Sequence, residues 1–348
     1  MKQQDKILII GGGFGGARVA NDLAKAGFND VTLVDRKDYF EVTYSTLRTL
    51  VQPEIGDRAR MKYAELINCK FVQGDVSELR HNEALMADGQ VLPFDYAVVA
   101  TGSSYGSFPV AKSDKQLTIE GRKKEFTAAH DQLENASSVL IIGGGPVGVE
   151  LAGEIIGQYP QKSVTLAQGS GRLLDALAPK ASRLAETQLA SLGVNILLNT
   201  RLSETDEFYR NSDVVYLCVG QKPNTALMQT NFAGSVTDRG LIKVDASLRV
   251  EGTQNLYALG DCSNAPGLKL GYLADIQATL LAKNIVAAVQ GKRSKPYKSS
   301  PDMALIPIGP EKGFVQLPFM VTTFRPLVNM KQKDMFISRQ YGNLGIKR

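Results

Sequence analysis

Residues 7–16 read ILIIGGGFGG, and residues 139–148 read VLIIGGGPVG. In both, four apolar residues run into Gly-x-Gly-x-x-Gly spacing. The first copy is Gly11, Gly13 and Gly16 with Phe14 and Gly15 between; the second is Gly143, Gly145 and Gly148 with Pro146 and Val147 between. A strand that turns straight into a helix needs glycine for three things: the tight bend, the close approach of a pyrophosphate to the backbone, and the packing of helix on strand. One copy is a weak signal. Two copies, each in strand–turn–helix context, predict two dinucleotide sites in one chain and electron transfer between them.

Working outward, the first turn predicts a helix over 15–25, a second strand over 31–34 ending at Asp35, and a buried strand over 96–100 ending in Thr101-Gly102. The pattern then repeats, with a helix over 147–157, a strand over 163–167, an amphipathic helix near 180–192, and strands over 194–198 and 214–219. Next come 240–250, a short apolar strand entering Gly260-Asp261, a long helix over 272–289, and a polar, proline-bearing linker over 291–301. Residues 302–348 alternate apolar and polar positions and predict strands with one helix. The expected fold class is α/β, with two Rossmann-like dinucleotide-binding domains plus a small C-terminal α+β domain. The domain of the second glycine turn (109–238) is expected to be inserted in the domain of the first (1–108 and 239–292), with 293–348 as the third domain.

Composition narrows the chemistry. The 348 residues carry a net charge of +5 and no basic cluster interleaved with aromatics, so no nucleic-acid partner is expected. Three cysteines, Cys69, Cys218 and Cys262, lie far apart, and the histidines are His81 and His130 alone. That argues against a dithiol relay, a metal site or a histidine triad. The first strand begins by Ile7, no apolar run reaches the ~20 residues that span a bilayer, and Lys2 stands where myristoylation requires glycine. A cytoplasmic protein without signal peptide, transmembrane helix or lipid anchor is expected.

The residues around the turns assign the sites. Asp35, ending the second strand, is placed to bond both hydroxyls of an adenosine ribose. Asp261, in TQNLYALGD (residues 253–261), is placed to bond the ribityl hydroxyls of a flavin, and the helix beginning near Tyr272 to aim its positive end at the flavin ring. With Thr101-Gly102, these assign the first turn to FAD. The second turn then takes NADH or NADPH. Its strand ends at Gln168 rather than an acid, with Arg172 nearby as a candidate phosphate partner, so the choice between the two nucleotides stays open. Glu150, in the first turn of the second helix, is a candidate to orient the nicotinamide carboxamide; stabilising its own helix end is the plainer alternative.

Thr101-Gly102, VGQKPN (residues 219–224) and YALGD (residues 257–261) together resemble the FAD-dependent pyridine nucleotide oxidoreductases over nearly the whole chain. More narrowly, DRKDYFEVTYSTLRTLV (35–51) and KQKDMFISRQYGNLG (331–345) resemble the AIF-homologue, ferroptosis suppressor protein-like branch, which is related to type II NADH dehydrogenases. The resemblance implies NAD(P)H:quinone oxidoreduction, with a hydride passed to flavin N5 and electrons delivered directly to a quinone. It implies catalytic roles for Glu150 and for Lys331, the latter a flavin-side lysine just ahead of a strand over 334–336. Arg36, Lys37, Arg48, Val76, Tyr272 and Leu273 are the further expected FAD contacts, and Gly220 a nicotinamide-nucleotide contact. Alternatives of the same architecture are a reductase of a small iron–sulfur protein and a redox-sensing flavoprotein of the AIF type. The apolar stretch 313–330 is read first as third-domain core, with peripheral membrane docking as the alternative. Monomer and homodimer both remain open.

Overall fold

A computed structural model describes residues 5–347, so Lys2 lies outside the described residues. The Ile7–Ile10 strand is the centre of a five-stranded sheet ordered Leu256–Ala258, Tyr96–Val99, Ile7–Ile10, Val31–Asp35, Lys70–Gln73. Every pairing in it is parallel, with Ile7 opposite both Val31 and Tyr96. A central parallel strand is covered on both faces, which is why Ile7–Ile10 is an unbroken apolar run and is buried throughout. The helices Phe14–Lys25 and Gly271–Val289 pack against each other and share a core with this sheet.

The second turn repeats the plan. Ser138–Ile142 is an inner strand of a four-stranded parallel sheet ordered Asn195–Leu197, Ser163–Ala167, Ser138–Ile142, Val214–Leu217. All four strands lie, in sequence, between the Tyr96–Val99 and Leu256–Ala258 strands of the first sheet. The chain thus crosses between the sheets twice, and the two crossings are bonded together. Ser103–Ser104 pairs antiparallel with Lys222–Pro223, Asn224 N–H donates to the Gly102 carbonyl at 3.0 Å, and Asn224 Nδ2 donates to the Thr101 carbonyl at 3.0 Å. The protein is therefore α/β, with two Rossmann-like parallel sheets.

The C-terminal segment forms an antiparallel sheet of Ala304–Ile308, Lys312–Leu317 and Met320–Thr322, followed by two helices, Arg325–Gln332 and Ile337–Asn343. One helix was expected there, and a strand over 334–336. Lys331 instead belongs to the first helix, and 334–336 is a turn in which Met335 and Phe336 take φ of +52° and +58°. The turn is held by Met335 N–H donating to the Lys331 carbonyl at 2.6 Å, with Phe336 edge-on to the Tyr44 ring at 5.9 Å. It redirects the chain so that Ile337, Tyr341 and Leu344 enter the first sheet's core, while Ile306, Ile308, Phe314 and Val321 join the second sheet's core. The 313–330 stretch is likewise divided. Phe314, Val315, Val321 and Val328 are buried, whereas Phe319 is 85% exposed and Phe324 60%, so the expectation of core holds for only part of it.

Candidate functional site

The two glycine turns are built alike. Gly11 and Gly143 take φ of +98° and +115°, a region that side chains with a Cβ avoid. A Cβ on Gly16 would lie 1.8 Å from Gly11 O, and one on Gly148 1.9 Å from Gly143 O, so glycine alone lets each helix sit on its own turn. The helices Phe14–Lys25 and Pro146–Gln158 begin at Gly13 and Gly145 with no side-chain cap and no acidic residue in the first turn; Glu150, expected there, lies just beyond it because the helix starts at Pro146. Their leading N–H groups are available to an anion at the positive end of the helix dipole.

The likeness extends to the strand ends. Asp35 accepts from Gly12 N–H at 2.6 Å and from Lys37 N–H at 2.8 Å, so its carboxylate is fixed over the first turn. Gln168 occupies the corresponding place in the second unit, its Oε1 accepting from Gly144 N–H at 2.8 Å and its Nε2 donating to Ser170 Oγ at 2.6 Å.

A cavity of about 1430 Å³ joins most of the residues the sequence singled out. Gly11, Gly13, Phe14 and Gly15 line it, with Asp35, Arg36, Lys37 and Val76. So do Thr101, Gly102, Asp261 and Tyr272, and from the second unit and the tail Pro146, Val147, Glu150 and Lys331. A Cβ on Gly13 would meet no atom within 4 Å. That open cradle, the uncapped helix and the fixed Asp35 carboxylate fit the pyrophosphate and ribose of FAD. The Gly271–Val289 helix also starts without a side-chain cap, and Gly271 and Tyr272 line the same cavity.

The other expected contacts are placed differently. Gly16 and Leu273 are packed beneath the lining, and Gly143, Gly145, Gly148, Gln168 and Gly220 lie around the second turn without lining this cavity. Arg48 does not reach it. Its guanidinium is bonded to Glu154 at 3.0 and 2.8 Å and to the Gln332 carbonyl at 2.5 Å, so a buried carboxylate and the end of a helix occupy its donors. Arg172 is tied into its own loop, donating to the carbonyls of Asp175 at 2.5 Å and Leu177 at 3.2 Å.

Asp261 is held by three donors. Its Oδ2 receives Ser103 Oγ at 2.7 Å, Lys112 Nζ at 2.7 Å and Gln221 Nε2 at 3.1 Å. Burial works against its charge, yet Lys112, Ser103 and the more distant Lys269 hold its carboxyl below the usual range. Lys112 and Ser103 carry no motif in the sequence. Gln221, however, sits inside VGQKPN, where its position could have flagged it.

Glu150 and Lys331 meet. Lys331 Nζ donates to both carboxylate oxygens at 2.8 Å, lies 5.9 Å from the Tyr44 ring centroid, and is buried, as is Glu150. Burial raises the Glu150 carboxyl above its usual range even with Lys331 beside it. One helical turn on, Glu154 takes Arg48, so two buried ion pairs line one face of the same helix. Asp275, also lining the cavity, is pushed up to about 6 by burial, although Gln340 and Asn343 bond its carboxylate at 3.2 and 3.3 Å. The three cysteines are free, and the described residues hold no cluster suited to a metal ion.

The profile of the pyridine nucleotide-disulphide oxidoreductase family matches residues 5–278. Apoptosis-inducing factor homolog B of Dictyostelium discoideum is 31% identical, with 98% of this chain and 97% of that protein aligned. Human ferroptosis suppressor protein 1 is 30% identical over 96% of this chain and 94% of its own length. Among solved structures, Plasmodium falciparum NDH2 in complex with NADH superposes with a TM-score of 0.76 at 16% identity, covering 98% and 97% of the two chains. The sulfide:quinone oxidoreductase of Aquifex aeolicus gives 0.76 at 16% identity, covering 97% and 92%.

Proposed function

This chain belongs to the pyridine nucleotide-disulphide oxidoreductase family, and from that premise we propose that it is an FAD-dependent NAD(P)H:quinone oxidoreductase. Residues 1–108 with 239–292 would hold FAD, and residues 109–238 the nicotinamide nucleotide. FAD supplies two-electron transfer between a nicotinamide and a quinone; the protein supplies binding, orientation and electrostatics. The observation that carries the reading is a single cavity lined by the FAD turn, by Pro146 and Val147 of the second helix, and by the Glu150–Lys331 pair.

Asp35 accepts the adenosine ribose hydroxyls, and the Phe14–Lys25 helix end takes the pyrophosphate. Asp261, kept ionised by Lys112, accepts ribityl hydroxyls. The uncapped end of the Gly271–Val289 helix stabilises negative charge at the ring edge. Glu150 orients the nicotinamide carboxamide and holds Lys331 in place, and Lys331 donates to oxygen that gains charge on reduction. None of the three cysteines lines the cavity, which supports direct delivery of electrons without a thiol relay.

The acceptor side is apolar: Leu317, Leu327 and Met330 of the C-terminal segment line the same cavity. Beside them in sequence Phe319, Met320 and Phe324 are exposed, and residues 312–333 contain no acidic residue. That combination supports a lipid-soluble acceptor and docking of this edge on a membrane surface. No helix among the described residues is long and apolar enough to cross a membrane.

The test is an anaerobic absorbance titration of the flavin-loaded protein with NADH and NADPH, followed by a short-chain ubiquinone. Bleaching by nucleotide and fast recovery on quinone is the expected result. Bleaching that only a ferredoxin or rubredoxin reverses would replace the quinone with a protein acceptor. Absence of bleaching with either nucleotide would overturn the reading.

A further inference from the structure

The nucleotide preference of the second turn can be taken further, on the premise that this turn binds a nicotinamide nucleotide. The residue at the end of the second strand of such a unit faces the adenosine ribose. An acid there bonds the 2′-hydroxyl and repels a 2′-phosphate. Gln168 stands there instead, and its orientation is fixed. Its Oε1 is turned to Gly144 N–H, which leaves the amide nitrogen, a donor, directed into the loop toward Ser170. An amide donor welcomes a phosphate oxygen and repels nothing.

A cation is also present, though not the one expected from the sequence. Arg172 spends its donors on the Asp175 and Leu177 carbonyls and lies near Ser182 Oγ. Arg201 comes from the neighbouring strand. Asn195–Leu197 pairs with Ser163–Ala167 in parallel, so the residues after it run beside 168–171. Thr200 N–H donates to the Gln168 carbonyl at 2.9 Å and Asn199 N–H to the Ser170 carbonyl at 3.0 Å, which pins this segment against the loop. The Arg201 side chain then lies across Gly169: a Cβ at 169 would be 3.2 Å from its Cγ and 3.3 Å from its Nε. Arg201 is exposed and pairs with no carboxylate among the described residues. Asp175 reaches the same loop, with Oδ2 3.3 Å from Ser170 Oγ, while Arg172 bonds its backbone carbonyl.

We infer that Arg201, lying over Gly169 beside Gln168, is the specificity-determining residue that makes the 2′-phosphorylated nucleotide, NADPH, the preferred partner of the second turn. A planar guanidinium suits phosphate recognition, and the glycine beneath it leaves room for the phosphate to approach.

Calorimetric titration of the flavin-loaded protein with adenosine 2′,5′-bisphosphate and with AMP tests this without turnover, because the two differ only in the 2′-phosphate. The bisphosphate is expected to bind roughly tenfold tighter or better, with the ratio shrinking as salt rises. Arg201→Ala should bring the two ligands within about threefold while leaving AMP affinity unchanged. Gln168→Glu, which keeps an acceptor for Gly144 N–H, should reverse the preference. Equal binding of the two ligands by the unaltered protein, or a ratio that survives Arg201→Ala, would overturn the inference and leave the nucleotide site intact. If neither ligand binds, the second turn is not a nucleotide site, and both readings fall together.

Discussion

The Glu150–Lys331 pair permits a quantitative test. Both groups are buried and joined by two contacts of 2.8 Å, and Lys331 otherwise has the Leu305 carbonyl at 3.4 Å and the Tyr44 ring at 5.9 Å. Glu150→Gln would strand an ammonium in the interior. Lys331→Met would strand a carboxylate whose proton affinity burial already raises. Breaking a buried pair by removing one partner costs about 3–5 kcal/mol, because the other charge is left uncompensated. If the substitutions were independent, the double variant would lose about 6 kcal/mol or more. Since it strands no charge, it should lose no more than either single one, giving a coupling energy of about 3 kcal/mol.

The single variants also differ in pH response. With Lys331 gone, the folded-state pKa of Glu150 rises further above its unfolded value. That state binds a proton the unfolded chain does not, so Lys331→Met should lose stability as pH rises through the raised value and regain it as pH falls. Urea denaturation of the four proteins, followed by circular dichroism at several pH values, reads both effects. A coupling below about 0.5 kcal/mol, or a Lys331→Met profile parallel to the parent's, would refute the pair as drawn.

Other outcomes follow from the same geometry. Asp261→Ala should lose FAD during purification and Lys112→Ala should retain less of it, judged by flavin-to-protein absorbance; stoichiometric flavin in both would remove them from the cofactor site. Asp275, raised to about 6, penalises the folded state once ionised, so the parent should lose about 3 kcal/mol relative to Asp275→Asn as pH rises from about 4 through 6. Melting curves of the two proteins that stay parallel across that range would contradict it. Phe319→Asp combined with Phe324→Asp should abolish flotation with anionic liposomes while leaving the circular dichroism spectrum unchanged. Undiminished flotation would mean that this edge is not the contact.

The glycine turns, the central strands and Asp35 were legible because their local chemistry permits few alternatives. A Cβ at position 16 or 148 strikes backbone less than 2 Å away, and a run such as ILII has no exposed face to reveal. Side chains whose partners lie far along the chain were not legible. Lys112 acquires its meaning only through Asp261, and Arg201 only because its strand lies beside Gln168. Arg48 resembled a cofactor ligand in sequence, yet the fold sets Glu154 against it. Arg122 carries no signal in the sequence, yet it is wholly buried between Glu41 and the Phe126 ring, with the Arg122 and Arg60 guanidiniums overcoming burial to hold the Glu41 carboxyl below its usual range. At 334–336 the family resemblance implied a strand. Packing of Phe336 on Tyr44 instead selects a left-handed turn that local propensity disfavours.

The double crossing between the sheets has a consequence for the protein's synthesis. The Tyr96–Val99 strand is paired on one side by Leu256–Ala258, which leaves the ribosome last of the five strands in its sheet. At about 5–20 residues per second, roughly 10–30 s separate the two strands, and for that interval a Val-Val edge stands open. The strand pairings of the second sheet close entirely within 138–217, although Ile306, Ile308, Phe314 and Val321 complete its core only later. The strand pairings should therefore close from the middle of the chain outward, with its first-made half waiting longest for its partner. An open edge of that kind invites pairing with another chain. Destabilising the Leu256–Ala258 strand should thus lower soluble yield more than it lowers the melting temperature of the protein that survives.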